Sequence, residues 1–309
     1  MTLRHVGFTA VPPGAKAGFD HADTYLDPRG SRLYVAYTGA DRVDVLDCTS
    51  GAYLRSIAGL PGVAGVLIDS ENDLLFTSNR AAAQVSILRA SDEAILAQVA
   101  VGPRPNGLAF DRDARNLYSF NLGEPAGSNC TASVVSIDAR RVVATLPLPG
   151  RPRWAVFDGE TRCVYANISD PAVIVVIDAD SLQISRSISV SVAGPHGLAL
   201  VEGQGGSSLW CAADAGQLVV LEPSTGVALT SLPLPGVPDV VMYDRDLARV
   251  YVAVGSPGTV TVFDTRERRQ LGTVVTEEGA HTIGWDPVTR RLFVFQPMTC
   301  GVGIYEEST

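Results

Sequence analysis

Leu33-Tyr34-Val35-Ala36 followed by Val43-Asp44-Val45-Leu46-Asp47 decides the fold, because this pair of short apolar strands returns along the whole chain. An acidic residue ends the segment before each pair. Those residues are Asp27, Asp69, Asp111, Asp158, Glu202, Asp244 and Asp286, with steps of 42, 42, 47, 44, 42 and 42 residues between them. A period of about 40 residues, with four short strands in each unit, predicts a seven-bladed β-propeller.

The same strand positions recur in every unit, and helical periodicity is absent. Residues 249–253 (RVYVA) and 291–295 (RLFVF) match residues 32–36. We therefore predict an all-β chain of four-stranded antiparallel blades, forming a single domain over residues 1–309. The predicted blades cover about 21–59, 63–101, 105–149, 152–192, 195–235, 238–276 and 281–309. The acidic residues that recur in nearly every unit are interpreted as turn-formers, since catalytic residues do not repeat in this way.

The last unit is one strand short, whereas residues 3–11 form a strand pattern that belongs to no other unit. We expect this N-terminal strand to complete the last blade and close the ring, which removes two exposed sheet edges. Residues 1–20 then form the closing strand and its lead-in.

Composition excludes several classes of partner. The net charge is −9, which disfavours nucleic acid and anionic membranes, because both reward clusters of Lys and Arg. The first residues lack an apolar signal region, and no window reaches a membrane-spanning length. Five scattered cysteines without a C-x-x-C pair fit a reduced compartment. We expect a cytoplasmic monomer that acts on a small molecule.

Histidines cluster at the predicted channel mouth. Because the innermost strand of each blade lines the channel, the first residues of these strands form a ring. That ring contains three of the four histidines. Its predicted members, in blade order, are His21 with Asp23, Ala64, Asn106, Arg153, His196, Asp239 and His281.

Four of these residues, His196, Asp239, His281 and His21, come from consecutive blades and form one arc. Imidazoles with a carboxylate are ligands that a first-row divalent metal prefers, so we predict such a metal here (Zn, Fe, Mn or Ni). Asp239 or Asp23 would be a further ligand or general base. A register slip of one residue at His21 or His196 would turn that ligand away from the axis. Alternatively, these histidines hydrogen-bond neighbouring backbone in a water-filled channel.

The opposite half of the mouth is expected to hold the substrate. Arg153, as a catalytic or anchoring residue, would suit an oxygen-rich anion such as a carboxylate or lactone. The other predicted substrate-binding residues are Asn106, Trp154, Asn79, Arg80 and Asn167. Asparagine after such a strand is also a common turn residue, and Trp154 could belong to the core. An insertion in blade 3, Leu122 to Ser133, is interpreted as a lid over the mouth or as a tolerated surface loop.

Two phrases, Gly102-Pro103-Arg104-Pro105-Asn106-Gly107-Leu108-Ala109 and Gly194-Pro195-His196-Gly197-Leu198-Ala199, resemble the YVTN-repeat propellers, also called YncE-like. The opening Gly18-Phe19-Asp20-His21 is similar to the start of their first blade. The resemblance covers essentially the whole chain and implies seven blades around a channel. It implies little about activity, because that group includes exported binding proteins and many members without an assigned activity.

Three functions remain open from the sequence. The first is a metal-dependent enzyme of hydrolase, lyase or isomerase type acting on an oxygenated, anionic substrate. The second is a non-catalytic propeller that binds a peptide, a protein or a small ligand on the same face. The third is a metal-free lactone hydrolase that uses a histidine–aspartate pair.

Overall fold

Twenty-eight β-strands form seven four-stranded antiparallel sheets in the part of the chain that a computed structural model describes, residues 3–16, 18–203 and 206–307. This architecture confirms the predicted all-β, seven-bladed propeller. In chain order the strands are β1 (Leu3–Ala10), β2 (Phe19–Tyr25), β3 (Arg32–Tyr37), β4 (Arg42–Asp47), β5 (Tyr53–Ile57), β6 (Val63–Asp69), β7 (Leu74–Asn79), β8 (Gln84–Arg89), β9 (Ile95–Ala100), β10 (Pro105–Asp111), β11 (Asn116–Asn121), β12 (Thr131–Ser136), β13 (Arg141–Pro147), β14 (Pro152–Asp158), β15 (Cys163–Ile168), β16 (Val173–Asp178), β17 (Gln183–Ser189), β18 (Pro195–Val201), β19 (Ser208–Ala213), β20 (Gln217–Leu221), β21 (Ala228–Pro233), β22 (Val237–Asp244), β23 (Arg249–Ser256), β24 (Thr259–Asp264), β25 (Arg269–Val275), β26 (Thr282–Asp286), β27 (Arg291–Gln296) and β28 (Gly301–Glu307).

The last blade contains the first and the last of the described strands. Its strand order is β1-β28-β27-β26, so the N-terminal strand is the outermost strand of this blade, as predicted. Strand β1 is antiparallel to β28, with Leu3 opposite Glu307 and Ala10 opposite Gly301. The ring is thus closed by hydrogen bonds between the first and last strands.

The core lies between neighbouring blades, because each sheet packs its apolar side chains against the next sheet. Tyr34 and Val43 of the first blade, for example, form one buried cluster with Val63 and Leu75 of the second. Aromatic residues at the same position of β3, β11, β15 and β23 are all buried. They are Tyr34, Tyr118, Tyr165 and Tyr251. The repeat in the sequence therefore corresponds to a repeat in packing.

The recurring aspartates form turns, as the repeat predicts. The Asp111 carboxylate accepts hydrogen bonds from the backbone N–H groups of Asp113 and Ala114. Asp158, Asp244 and Asp286 accept the equivalent pair of backbone bonds two and three residues further along. Within the described ranges, no helix is long and apolar enough to cross a membrane.

Candidate functional site at the channel mouth

Strand register defines which residues are equivalent around the channel mouth. In each blade one residue of the innermost strand pairs with the first residue of the second strand, as Tyr25 does with Arg32 and Asp286 with Arg291. The residue five positions before this paired residue occupies the same place in every blade. We call the seven residues at this position the mouth ring. Its members are Asp20, Ala64, Asn106, Arg153, His196, Asp239 and His281.

The register corrects one member of the predicted ring. Asp20 holds the ring position of blade 1, and His21 lies one residue further along the strand. The sequence repeat predicted that Asp27 is equivalent to the aspartates that close the innermost strands of other blades. In the structure, Tyr25 occupies that position, because it pairs with Arg32, the first residue of the second strand. A longer turn after β2 displaces the acidic residue by two positions. His196 is a ring member, so its ambiguity is resolved.

The residue after the ring position faces the next blade at close range. Blades 2, 3 and 5 have glycine there (Gly65, Gly107 and Gly197), and a Cβ atom at each would collide with a backbone carbonyl oxygen of the following blade. Blades 1 and 4 instead have His21 and Trp154. These two rings stack on each other, with centroids 4.0 Å apart and planes at 18°. Because the two blades are three positions apart around the ring, the stack spans the channel.

His196 lies between two carboxylates. Its Nδ1 is 2.7 Å from Oδ1 of Asp214, and its Nε2 is 3.2 Å from Oδ1 of Asp239. Arg153 lies beside the same ring, 3.3 Å from Nε2, with its guanidinium 3.8 Å from the Asp214 carboxylate. Trp154 donates its indole N–H to Asp239 at 3.3 Å. One network therefore joins blades 4, 5 and 6 at the mouth.

The network makes His196 a cation at neutral pH. Burial lowers the pKa of the imidazole, but the charge of Asp239 and the hydrogen bonds that the ring donates to Asp214 and Asp239 outweigh burial and raise the pKa of His196 to about 9. Burial raises the pKa of Asp239, yet His196 overcomes this effect and holds that pKa well below its usual range. Asp239 is therefore a stable anion and a weak base.

The predicted metal ligands do not fit a metal in this arrangement. Both ring nitrogens of His281 face carbonyl oxygens, that of Gly279 at 2.7 Å and that of Phe19 at 3.1 Å. Both nitrogens of His196 face carboxylates, and His21 lies outside the ring position. Among the described residues, no group of three or more His, Cys, Asp or Glu side chains is arranged to hold a metal ion. A metal at these residues stays a prediction that the geometry does not support.

A cluster of arginines lies on the side formed by blades 2, 3 and 4. Arg80 is 2.8 Å from the Asp20 carboxylate and donates to the side-chain oxygen of Asn106. Arg104 and Arg151 are exposed. Although Arg151 as a whole is exposed, partial desolvation of its guanidinium lowers its pKa, and the positive charges of the other three arginines (Arg153, Arg80 and Arg104) lower it further. The guanidinium group of Arg151 is thus close enough to the other three to be repelled by them.

Two of the predicted substrate-binding residues form hydrogen bonds within or between the blades. The amide of Asn79 is buried and hydrogen-bonds Ser86 at 2.8 Å. Asn167 donates to the backbone oxygens of His196 and Gly197, both at 3.0 Å, and so joins blade 4 to blade 5. Neither amide is available to a ligand at the mouth in this structure. Their contacts give both residues a structural role.

Asp23 also connects blades. Its carboxylate accepts the backbone N–H groups of Thr24 at 2.8 Å and of Ile68 at 2.7 Å, the latter on the next innermost strand. Burial raises the pKa of Asp23 to about 6, although both backbone hydrogen bonds lower it. Because both oxygens are engaged, the contacts do not support Asp23 as the predicted general base.

Two cavities adjoin the mouth ring and share no lining residue. The channel below the ring has a volume of about 660 Å³, and His21 and Trp154 line it. A second cavity of about 570 Å³ lies between blades 5, 6 and 7, where His196, Asp239 and His281 line it. We call it the side cavity.

The blade 3 insertion is shorter than predicted. Strand β12 begins at Thr131, so the loop covers residues 122–130. The backbone N–H groups of Leu122 and Gly123 bind the carbonyls of Arg104 and Pro103, so the loop flanks the arginine cluster. No residue of the loop lines either cavity.

Four residues at the mouth were not predicted from the sequence: Asp20, Asp214, Arg104 and Arg151. A signal for the two arginines was present, because Arg104-Pro105 and Arg151-Pro152 both place an arginine directly before the proline that begins an innermost strand. Asp214 lies in the turn after β19, where the repeat has no charged consensus, so only the folded geometry brings it to His196.

Comparisons with known proteins agree with the fold and leave the activity open. No family model matches the chain. A segment of 93 residues, 30% of this chain and 26% of the relative, is 30% identical to the uncharacterized protein YncE of Salmonella typhimurium. The match thus spans about a quarter of that relative's length and supports membership of the propeller class. The YVTN-repeat subgroup stays a resemblance.

Solved structures of unrelated function share the architecture. A chain of the Kuenenia stuttgartiensis hydrazine synthase aligns with a TM-score of 0.78 at 15% identity, covering 94% of this chain and 96% of that one. A chain of a mitotic checkpoint complex aligns with a TM-score of 0.80 at 14% identity, covering 98% and 90%. At such identities the likeness shows the propeller fold alone.

Proposed function

We propose that the propeller binds a small, oxygen-rich anionic molecule at the mouth ring, held by Arg80, Arg104, Arg151 and Arg153. The observation that carries the proposal is that the guanidinium groups of this cluster outnumber their carboxylate partners. Among ion pairs of the described residues, Arg80 pairs with Asp20 and Arg153 with Asp214, whereas neither Arg104 nor Arg151 has a carboxylate partner. Planar guanidinium groups match the two oxygens of a carboxylate.

Two further features support an anion at this place. The Nε atoms of Arg80 and Arg153 are buried and have no hydrogen-bond acceptor among the described residues. A buried donor without an acceptor costs free energy, so a bound oxygen would relieve that cost. Burial and the neighbouring positive charges of three arginines lower the pKa of Arg151, and a group perturbed in this way is also typical of functional sites.

His196 favours a second candidate, metal-free hydrolysis of a lactone. In such a reaction water adds to the lactone carbonyl and the ring C–O bond breaks. The cationic imidazole beside Arg153 gives its proton to the leaving oxygen, and the proton that the water loses restores the imidazolium. With a pKa of about 9, His196 is a proton donor rather than a base at neutral pH. Activity of this kind would be insensitive to chelators, whereas the metal-dependent enzyme predicted from the sequence would lose its activity.

Calorimetric titration with citrate at constant ionic strength tests the binding proposal. Citrate presents several carboxylates, so the wild-type protein should bind it, and Arg151→Gln with Arg153→Gln should weaken binding at least tenfold. Arg141→Gln is the matched control, because Arg141 is exposed at the start of an outer strand. Equal weakening by the control would indicate nonspecific attraction and contradict the proposal.

A further inference from the structure

The side cavity is connected to the arginine cluster through His196, which lines the cavity and lies 3.3 Å from Arg153, and the cavity has a different character. Its wall includes the apolar residues Val237, Pro238, Pro297 and Met298. Val237 is 51% exposed and Met298 75% exposed, which leaves large apolar side chains open to solvent at the rim. Exposed apolar surface beside polar groups is typical of ligand sites.

We infer that the anionic ligand also carries an apolar tail, and that this tail lies in the side cavity while the carboxylate lies against the arginines. The inference rests on the proposed function and names its ligand class, a monocarboxylate with an aliphatic or aromatic body. His196 joins the two halves of the site. It lines the side cavity, and its ring is 3.3 Å from the guanidinium of Arg153.

Charge orients the ligand. The side cavity also contains the carboxylates of Asp239 and Glu278, and Glu278 is exposed at its rim. These groups repel a second anionic group, so the carboxylate is directed to the arginines and an uncharged body to the cavity. A long dicarboxylate therefore fits the site less well than a monocarboxylate of equal length.

The volume accommodates such a tail. At about 570 Å³ the side cavity lies within the range of small-molecule sites, and a chain of six carbons fills only part of it. Each methylene that leaves water strengthens binding by roughly three- to fourfold. Affinity should therefore rise with chain length for as long as the chain stays in contact with the wall.

Calorimetric titration with acetate, butanoate and hexanoate at pH 7 and constant ionic strength tests the inference. We expect hexanoate to bind at least tenfold more tightly than acetate, and adipate (the six-carbon dicarboxylate) to bind more weakly than hexanoate. Met298→Ser should reduce the affinity for hexanoate severalfold and leave that for acetate unchanged. Val288→Ser is the matched control, because Val288 is 70% exposed and lies in the turn between β26 and β27, where it lines neither cavity.

The outcomes separate the inference from the proposed function. If citrate and acetate bind but hexanoate binds no better than acetate, the tail site is wrong and the anion site stands. If Met298→Ser and Val288→Ser have equal effects, the tail lies elsewhere and the inference is also wrong. If no carboxylate binds, citrate included, the proposed function itself fails.

Discussion

His21 stacks on Trp154 across the channel, with ring centroids 4.0 Å apart, although the two residues are 133 positions apart in the chain. The stack lies between the channel and the mouth ring, and the indole N–H of Trp154 reaches Asp239 on a third blade. One aromatic pair thus lines the channel and links blades 1, 4 and 6.

Replacing His21 should change how stability depends on pH. Burial lowers the pKa of His21 below its ordinary value of 6.5, although Asp20 and Asp239 raise it in part. The unfolded chain then binds a proton more readily than the folded one, so stability falls as the pH drops below 6.5. His21→Phe keeps an aromatic ring but cannot be protonated. Between pH 7 and pH 5, the melting temperature of wild type should fall more than that of His21→Phe.

Asp23 changes stability in the opposite direction in the lower part of this pH range. Its raised pKa favours folding as the pH falls from 6 towards 4. Asp23 is present in both proteins, so the comparison cancels its contribution. Parallel melting curves for the two proteins would show that His21 does not titrate as its burial requires.

Asp239→Asn should make His196 less basic. Asp239 is the largest favourable influence on the pKa of about 9, so its loss should bring that pKa down towards 6.5, with Asp214 retaining part of the shift. Proton NMR of the imidazole resonances measures this directly, and the chain has only four histidines. His196→Gln identifies the resonance. An unchanged pKa in Asp239→Asn would mean that Asp214 alone sets the charge.

The charge of His196 also affects stability at alkaline pH. A raised pKa in the folded state stabilises the protein fully below pH 6.5, and this contribution disappears as the pH rises through about 9. His196→Gln should therefore be destabilised relative to wild type at pH 6, and the difference should shrink by pH 10. Denaturant unfolding of both proteins at pH 6 and pH 10 measures this difference in stability. The same difference at both pH values would contradict the raised pKa of His196.

Arg151→Gln should leave the fold intact and raise its melting temperature slightly. Arg151 is repelled by Arg153, Arg80 and Arg104, so removing its charge relieves that repulsion in the absence of an anion. The same change should weaken citrate binding. Gain of stability with loss of binding is the pattern expected where a site is maintained for function. Arg141→Gln should show neither effect, and a clear loss of stability in Arg151→Gln would indicate a structural role.

Gly197→Ala should destabilise the protein by about 2–3 kcal/mol, the cost of overpacking a close contact. A Cβ atom at this position would collide with the carbonyl oxygen of Asp239 and the side chain of Val241. At Gly159, a Cβ atom meets only the Phe157 ring at 3.7 Å, so Gly159→Ala is a matched control. Equal unfolding free energies for both variants would show that the blades separate easily here.

Much of the fold could be predicted from the sequence because each blade repeats the same packing. The buried Tyr34, Tyr118 and Tyr251 occupy equivalent strand positions, and the turn aspartates bind the same backbone groups. Periodicity is read directly from residue spacing, so the strand count, the blade count and the closing strand all followed from it.

The site was harder to predict, because a position on a strand does not determine a side chain's partners. A turn two residues longer in blade 1 moved His21 off the ring, and Asp214 reaches His196 from a turn. The histidines were interpreted as metal ligands from their residue type and their predicted positions on consecutive blades. Their hydrogen-bond partners come from turns, as Asp214 and Gly279 do, or from neighbouring blades, as Phe19 and Asp239 do, and spacing along a strand cannot identify them.

The most direct test of the central claim, that the arginine side of the mouth binds an anion, is calorimetric titration of citrate into wild type and the Arg151→Gln/Arg153→Gln double variant. The account predicts saturable binding to wild type with one molecule per chain, and at least tenfold weaker binding to the double variant with an unchanged circular dichroism spectrum. Absence of binding to wild type, or equal binding to both proteins, would contradict it.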